Sequence, residues 1–190
     1  MSQPNAVQRQ RRADAQRNYE RILAVARVAV AQRGGDVVLE DIARDAGVGI
    51  GTLYRHFPTR QALLEATFLD ETRELRARAE QLAAEQAPLD ALVGWLRLQM
   101  DLGMRGHSIG AAVMAAKHVD GSEIQLAYAA MREAGTELLE RAQAVGEVRP
   151  GVDMGDLLRL VHGVVLVSQQ APDPERMERM FQLVIAGIRA

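Results

Sequence analysis

The stretch that decides the fold is Leu39-Glu-Asp-Ile-Ala-Arg-Asp-Ala-Gly-Val-Gly-Ile-Gly-Thr-Leu-Tyr-Arg-His-Phe57. Two short helices that cross steeply need a small residue where their backbones approach, and Ala43 occupies that position. Four residues later the chain must turn with a positive φ, which glycine adopts at little cost, and Gly47 stands there. The apolar residues spaced to pack the second helix on the first are Ile42, Val48 and Leu53. The pattern predicts a helix-turn-helix within residues 38–57, whose second helix enters the DNA major groove.

The residues around this stretch favour DNA binding over the alternative, an ordinary helical hairpin, in which alanine and glycine at this spacing are common. A basic arm without an intervening acid precedes the first predicted helix and consists of Arg9, Arg11 and Arg12. Such an arm suits phosphates or the minor groove. After the second helix, Thr59 is a good N-cap, so the next helix points its positive end outward beside Arg60. These features predict phosphate contacts on both sides of the helix-turn-helix.

Several short motifs resemble the signature of the TetR family of bacterial transcription regulators. They are Asp41-Ile-Ala, Ala46-Gly-Val, Gly51-Thr-Leu-Tyr-Arg-His-Phe-Pro-Thr-Arg60 and the following Ala62-Leu-Leu. The specific match covers about residues 17–68, and the Leu-Tyr-x-His-Phe core carries most of it. The rest of the chain is similar to the family only in length and helical layout. Within it, Glu147-Val-Arg-Pro-Gly-Val-Asp-Met resembles the loop before the family's dimerisation helices.

The resemblance implies DNA contacts from the recognition helix and the residues that flank it. These are Gly49, Gly51, Thr52, Tyr54, Arg55, His56, Thr59 and Arg60, in addition to the basic arm. Tyr54 and His56 are expected to bond phosphates, whereas Thr52 and Arg55 reach base edges. Leu53 and Phe57 are expected in the core.

Three positions depart from the family's pattern. The family often has threonine where Val38 stands, as the N-cap of the second helix and a phosphate contact. Gly49 replaces the usual serine or threonine cap of the recognition helix, and Ile50 takes a place often held by lysine or arginine. Each change removes a hydrogen bond or a charge directed at the DNA backbone, so the affinity for DNA should depend more on the basic arm and Arg60.

The whole chain is predicted to be all-α, because helix-favouring residues dominate its 190 residues and no strand-like alternation is present. Residues 1–58 form a three-helix DNA-binding domain, and residues 59–190 form a larger helical domain for effector binding and dimerisation. The predicted helices are Arg12–Arg33, Leu39–Ala46, Ile50–Phe57, Thr59–Glu85, Pro88–Arg105, one within 106–120, Ser122–Val145, Met154–Gln170 and Pro174–Arg189.

Charge and composition exclude several classes of protein. Residues 1–60 carry a formal charge of +4 and residues 61–190 a charge of −6, which points to an anionic partner for the first part alone. Cysteine is absent, so disulfides and thiolate metal sites are excluded. We expect a cytoplasmic protein, because neither a signal peptide nor an apolar run of membrane-spanning length is present. We expect neither a cofactor nor a metal, since His107, His118 and His162 form no ligand motif.

The family resemblance implies a small-molecule effector in the second domain, which shifts the long helix from Thr59 and so changes the separation of two DNA-binding heads. An adaptable, largely apolar pocket is predicted from the methionines and aromatic residues of residues 95–131. Its candidate residues are Trp95, Leu98, Met104, His107, Met114, His118, Tyr128 and Met131. The alternative for each of them is plain core packing.

The last two predicted helices are apolar around most of their circumference, which indicates burial on more than one side. A two-fold four-helix bundle between two copies satisfies this pattern, and the alternative is a monomer with a central hairpin. The predicted interface residues are Leu157, Val161, Val164, Val165, Met177, Phe181, Val184 and Ile188.

Three functions compete. The first is a regulator, most simply a repressor, that binds a palindromic operator as a homodimer and is released by an effector. The second is a helical enzyme that retains a head of this shape, which the lack of any catalytic motif argues against. The third is a constitutive DNA binder without an effector, and activation is the alternative to repression.

Overall fold

The computed structural model describes residues 6–105 and 121–190, and its regular secondary structure is helical. The helices are α1 Ala6–Arg33, α2 Leu39–Asp45, α3 Ile50–His56, α4 Arg60–Glu85, α5 Pro88–Arg105, α6 Glu123–Ala144, α7 Met154–Gln170 and α8 Pro174–Ile188. Among these described residues no β-strand forms beyond an isolated bridge between Val148 and Arg189. The prediction of an all-α chain is confirmed. The helix predicted within 106–120 lies outside the described residues.

Helix α1 begins at Ala6, earlier than the predicted start at Arg12. Arg9, Arg11 and Arg12 therefore belong to the first turns of α1, where they are exposed, and do not form an arm that precedes the helix. Their neighbours are mostly alanine, glutamine and arginine, which are good helix formers, and no glycine or proline follows before the end of the helix.

Polar caps fix where α4, α6, α7 and α8 begin. Thr59 accepts a hydrogen bond from the Ala62 backbone at 3.0 Å, and Ser122 accepts one from Gln125 at 3.0 Å. Asp153 and Asp173 cap α7 and α8 in the same way. Each cap satisfies an amide at the helix start that has no partner within the helix. The predicted starts of these helices are correct to within one residue.

The buried side chains form two hydrophobic clusters, which we call the head core and the body core. The head core joins α1, α2, α3, the first part of α4 and Ile124 at the start of α6, and the body core joins the rest of α4 to α5, the rest of α6, α7 and α8. Helix α4 enters both, with Leu63, Leu64 and Leu69 in the head core and Leu75, Ala79 and Leu82 in the body core. The division of the chain between residues 58 and 59 stays a prediction, because α4, which follows it, contributes buried side chains to both cores.

None of the described helices is long and apolar enough to cross a membrane.

Candidate nucleic-acid interface

The turn between α2 and α3 is closed by backbone hydrogen bonds. The Val48 amide donates to the Ala43 carbonyl at 2.9 Å, and the Gly47 amide donates to the Arg44 carbonyl at 3.0 Å. Gly47 has a φ of +62°, the left-handed conformation that this pattern requires after a helix. The predicted glycine turn is confirmed, and it directs α3 across α2.

Helix α3 packs on the head core through one side and leaves the other side open. Leu53 and the following Phe57 are buried, as predicted, whereas Tyr54 and Arg55 are exposed. A Cβ added at Gly49 or Gly51 would meet no atom within 4 Å, so the backbone itself is accessible there. The open side of α3 thus presents a phenol, a guanidinium and uncovered backbone.

His56 lies at the edge of this surface in an aromatic cluster that the sequence analysis did not predict. Its ring meets the Tyr19 ring edge-on with centroids 6.0 Å apart, and Tyr19 stacks on Phe57 at 5.1 Å. His56 is half-buried, so packing from α1 fixes one side of its ring. The sequence feature that could have identified Tyr19 is its position one turn before Ile22, on the buried stripe of α1.

The two helices of the motif both begin without a side-chain cap. Val38 and Gly49 have extended backbone at the N-cap positions, and neither side chain makes a capping hydrogen bond. Ile50 is partly exposed beside Gly49. The predicted loss of a side-chain cap at the start of α2 and of α3 is therefore confirmed at Val38 and Gly49.

A second residue that the sequence analysis missed is Arg21, on α1. Its guanidinium donates to the carbonyl of Ala46 and, at 3.1 Å, to the carbonyl of Gly47. No local pattern announces this contact, because 25 residues separate Arg21 from Ala46.

Helix α4 begins beside this surface with the Thr59 cap and no acidic residue in its first turn. Arg60 is exposed and lies 3.7 Å from Asp36, itself almost fully exposed, so the pair is weak. Within the described part of the chain Arg55 forms no ion pair, whereas Arg33 and Arg44 both pair with Asp41 on α2. Arg55 and Arg60 are thus the cations of this region best placed to meet an anion.

The five described residues of the predicted effector pocket all pack against the body core, and two of them are buried. Trp95 is fully buried and donates from Nε1 to the Leu75 carbonyl at 3.0 Å. A Cβ at Gly135 would lie 2.4 Å from Trp95 Cη2, so the indole already fills the space beside α6. Met131 is buried too, and the half-buried residues are Leu98, Met104 and Tyr128. His107, Met114 and His118 lie outside the described residues.

A cavity of about 370 Å³ lies elsewhere, between α1, α4 and α5. We call it the junction groove, lined by Ala24, Arg27, Val28, Ala31, Glu71, Glu74, Leu75, Arg78, Leu98 and Leu102. It shares only Leu98 with the described residues of the predicted pocket. Arg27 spans its edge, with hydrogen bonds to Asp70 at 3.2 Å and to Glu74.

Six of the eight predicted interface residues lie in the body core and not on the surface. They are Leu157, Val161, Val164, Val165, Phe181 and Ile188. Met177 and Val184 are half-buried against the same core. We reassign the six to core packing, because an apolar stripe looks alike in sequence whether the chain itself or a partner buries it.

The outer sides of α7 and α8 carry a different set of apolar residues. Exposed on α7 are Leu160, Leu166 and Val167, and exposed on α8 is Leu183. Beside them, Gly163 and Gly187 leave open space for a close neighbour. We call this surface the α7–α8 outer face.

An ion pair fastens α8 to α5 beside this face. Arg97 donates two hydrogen bonds to the Glu178 carboxylate, at 2.7 and 2.9 Å, and its guanidinium lies 5.0 Å from the centre of the Phe181 ring. These hydrogen bonds, with one from Gln182, lower the pKa of Glu178 to about 2.

No group of three or more histidine, aspartate or glutamate side chains among the described residues is arranged to hold a metal ion.

Comparison with known proteins agrees with this architecture along both parts of the chain. Residues 22–67 match the family described as bacterial regulatory proteins, tetR family, and residues 87–190 match the C-terminal domain described as transcriptional regulator SbtR-like. The second match corrects the expectation that the C-terminal part resembles the family only in length and layout.

Individual relatives point the same way. The TetR transcriptional regulator SCO0520 from Streptomyces coelicolor is 35% identical, with 90% of this chain and 98% of that chain covered and a TM-score of 0.74. The TetR transcription regulatory protein from Mycobacterium vanbaalenii is 34% identical, with coverage of 94% and 99% and a TM-score of 0.70. The HTH-type transcriptional regulator SAR0097 of Staphylococcus aureus is 36% identical over 81 residues. That alignment spans 41% of this chain and 42% of the relative, less than half its length.

Proposed function

Because the chain belongs to the TetR family of transcriptional regulators, we propose that it is a repressor that binds an inverted-repeat operator as a homodimer and leaves it when a small molecule binds. The observation that carries the proposal is the open side of α3, where Tyr54 and Arg55 stand exposed over a buried Leu53. The family consists of transcriptional regulators and not of enzymes. We expect the protein in the cytoplasm, where bacterial DNA lies.

In the proposed complex α3 lies in the major groove. Thr52 and Arg55 read base edges, while Tyr54 and His56 bond phosphates. The uncovered backbone at Gly49 and Gly51 allows close approach to the DNA.

Two further elements hold the DNA backbone in this proposal. The capped start of α4, from Thr59 with Arg60 beside it, binds a phosphate. The exposed arginines Arg9, Arg11 and Arg12 continue α1 as a basic extension toward phosphates or the minor groove.

Dimerisation is proposed through the α7–α8 outer face. Four large apolar side chains that are exposed on two adjacent helices favour burial against a second copy in a four-helix arrangement. Met177 and Val184 on α8 are half-buried against the body core, and a partner can cover what that core leaves open.

The effector is proposed to be a small, largely apolar molecule that acts through α4. Helix α4 contributes to both cores, so a displacement of its second half, which lies in the body core, also moves the residues of the head core. Where the cores meet, Thr67 and Thr72 donate to the carbonyls of Leu63 and Leu69, which favours bending of a helix. The junction groove reaches this region, and Leu98, Met104 and Tyr128 give the effector its remaining accessible surface.

Selection of fragments of the source genome with the purified protein, followed by sequencing, tests the proposal. We expect enrichment of fragments with two inverted half-sites about 34–36 Å apart. Arg60→Ala should weaken all enriched sites alike, whereas Arg55→Ala should also change which base is preferred at one position. Failure to enrich any fragment over random DNA would contradict the proposal.

The effector step has its own test, because the alternative is a constitutive binder. A screen of small apolar compounds for release of the enriched DNA should find at least one that also raises the melting temperature. An activator would bind the same sites but raise transcription from them in a reporter assay.

A further inference from the structure

The guanidinium of Arg21 lies against the turn that joins α2 to α3. It donates to the carbonyls of Ala46 and Gly47, and the contact with Gly47 measures 3.1 Å. A Cβ added at Gly47 would lie only 2.8 Å from Arg21 Nη2. A side chain at this position would therefore strain the positive φ and would also require the Arg21 guanidinium to move.

The carbonyls at the end of α2 explain why a cation is favourable there. Backbone amides in the turn already occupy the carbonyls of Ala43 and Arg44. The carbonyls of Ala46 and Gly47 accept from Arg21, and the negative end of the α2 dipole adds attraction to its charge. Arg21 thus completes the hydrogen bonding of the turn from outside the motif.

The position of α3 depends on this turn more than in a motif with ordinary caps. Gly49 gives α3 no side-chain cap, and Val38 gives none to α2. Helix α3 has only seven residues, so its own hydrogen bonds hold its first turn weakly. Only Gly47, Val48 and Gly49 separate the carbonyl of Ala46 from the start of α3.

We propose that Arg21 is a positioning residue for DNA recognition, which holds the turn from α1 and so fixes the orientation of α3 in place of the missing caps. The inference rests on the proposed function for its role in DNA reading. The contact itself can be tested without DNA.

Arg21→Ala and Arg21→Lys test the proposal, with Arg17→Ala as the matched control. Arg17 is an exposed arginine one turn earlier on α1, whose partner is Asp14 on the same helix. Amide hydrogen exchange in free protein should become at least tenfold faster in residues 47–53 of Arg21→Ala, and should stay unchanged in Arg17→Ala. Arg21→Lys keeps the charge but has no planar fork, so it should restore only part of the protection.

DNA binding separates positioning from a simple phosphate contact. Arg21→Ala should lower the affinity for an enriched fragment by about tenfold, reduce discrimination between right and wrong bases, and leave the dependence on salt unchanged. A phosphate contact would instead reduce the slope of log K against log salt by about 0.9 and leave base preference intact. That second result, or unchanged exchange in residues 47–53, overturns the proposal.

A further variant covers the case in which α1 to α3 of Arg21→Ala do not fold. If Arg21→Ala loses exchange protection throughout α1 to α3, Gly49→Ser in the same background supplies a side-chain cap for α3 and should restore protection to residues 50–53. If it restores none, α3 does not depend on capping and the proposal is wrong. If the unmodified protein prefers no DNA fragment, the proposed function fails, while the exchange result for Arg21 stands or falls separately.

Discussion

Leu183→Asp is expected to separate the proposed dimer into monomers that remain folded. The Leu183 side chain is 72% exposed on α8, so its replacement by aspartate removes few contacts within one copy. Full burial of a leucine is worth about 1.5–3 kcal/mol, so covering its exposed part contributes about 1–2 kcal/mol, and two-fold symmetry doubles that to about 2–4 kcal/mol. The Kd for dimerisation should therefore rise between about 30-fold and about 1,000-fold.

Light scattering across a dilution series measures this change, and Leu126→Asp is the matched control. Leu126 is 60% exposed on α6, a helix that does not contribute to the α7–α8 outer face, so its replacement should leave both the mass and the melting temperature unchanged. A mass near 20.8 kDa for the unmodified protein at micromolar concentration would refute the dimer. Equal dissociation of Leu183→Asp and Leu126→Asp would refute the choice of face. Aspartate at Val164 or Phe181 is not a clean test, because both residues belong to the body core and the variant would unfold.

Three further predictions concern stability. Gly135→Ala should destabilise the fold by about 1–3 kcal/mol in chemical denaturation, because its Cβ would overlap the Trp95 ring. Gly94→Ala is the control and should be neutral or stabilising, because the nearest atom to its Cβ lies at an ordinary 3.6 Å. Equal effects of the two substitutions would contradict the packing argument. Val38→Thr should raise stability by about 0.5–2 kcal/mol, since the extended N-cap backbone suits a side-chain hydrogen bond to α2, and an unchanged melting temperature would count against this. The pKa of Glu178 lies at about 2 in the folded protein against an ordinary 4.5, so its pairing with Arg97 stabilises above pH 4.5 and is lost as the pH falls toward 2. Both side chains are about two-fifths exposed, so the loss should stay below about 1 kcal/mol, and Glu178→Gln should remove it from denaturation curves that compare pH 5 with pH 2.5.

Local chemistry explains what the sequence predicted well. The positive φ at Gly47 and the caps at Thr59 and Ser122 depend on neighbours within a few residues, so the pattern itself contains the cause. The start of α1 was placed too late because a basic segment of good helix formers was interpreted as an extended arm.

Contacts between residues far apart in the chain explain which features the sequence predicted poorly. The fit of Trp95 against Gly135 and the reach of Arg21 to Ala46 join residues that no local pattern connects. Periodicity found the apolar sides of α7 and α8 but assigned Val164 and Phe181 to a partner, because the spacing of buried residues does not record which molecule buries them.

The participation of α4 in both cores makes it a lever arm of calculable length. The segment from Arg60 to Leu75 rises about 22 Å at 1.5 Å per residue. A tilt of about 10° around Leu75 displaces the Arg60 end by about 4 Å, which exceeds the rise of about 3.4 Å between successive base pairs. In the proposed two-fold dimer the two ends move in opposite directions, so the distance between the recognition helices changes by up to about 8 Å, or more than two base-pair steps. In the proposed complex, a rotation of this size is enough to put one recognition helix out of register with its half-site.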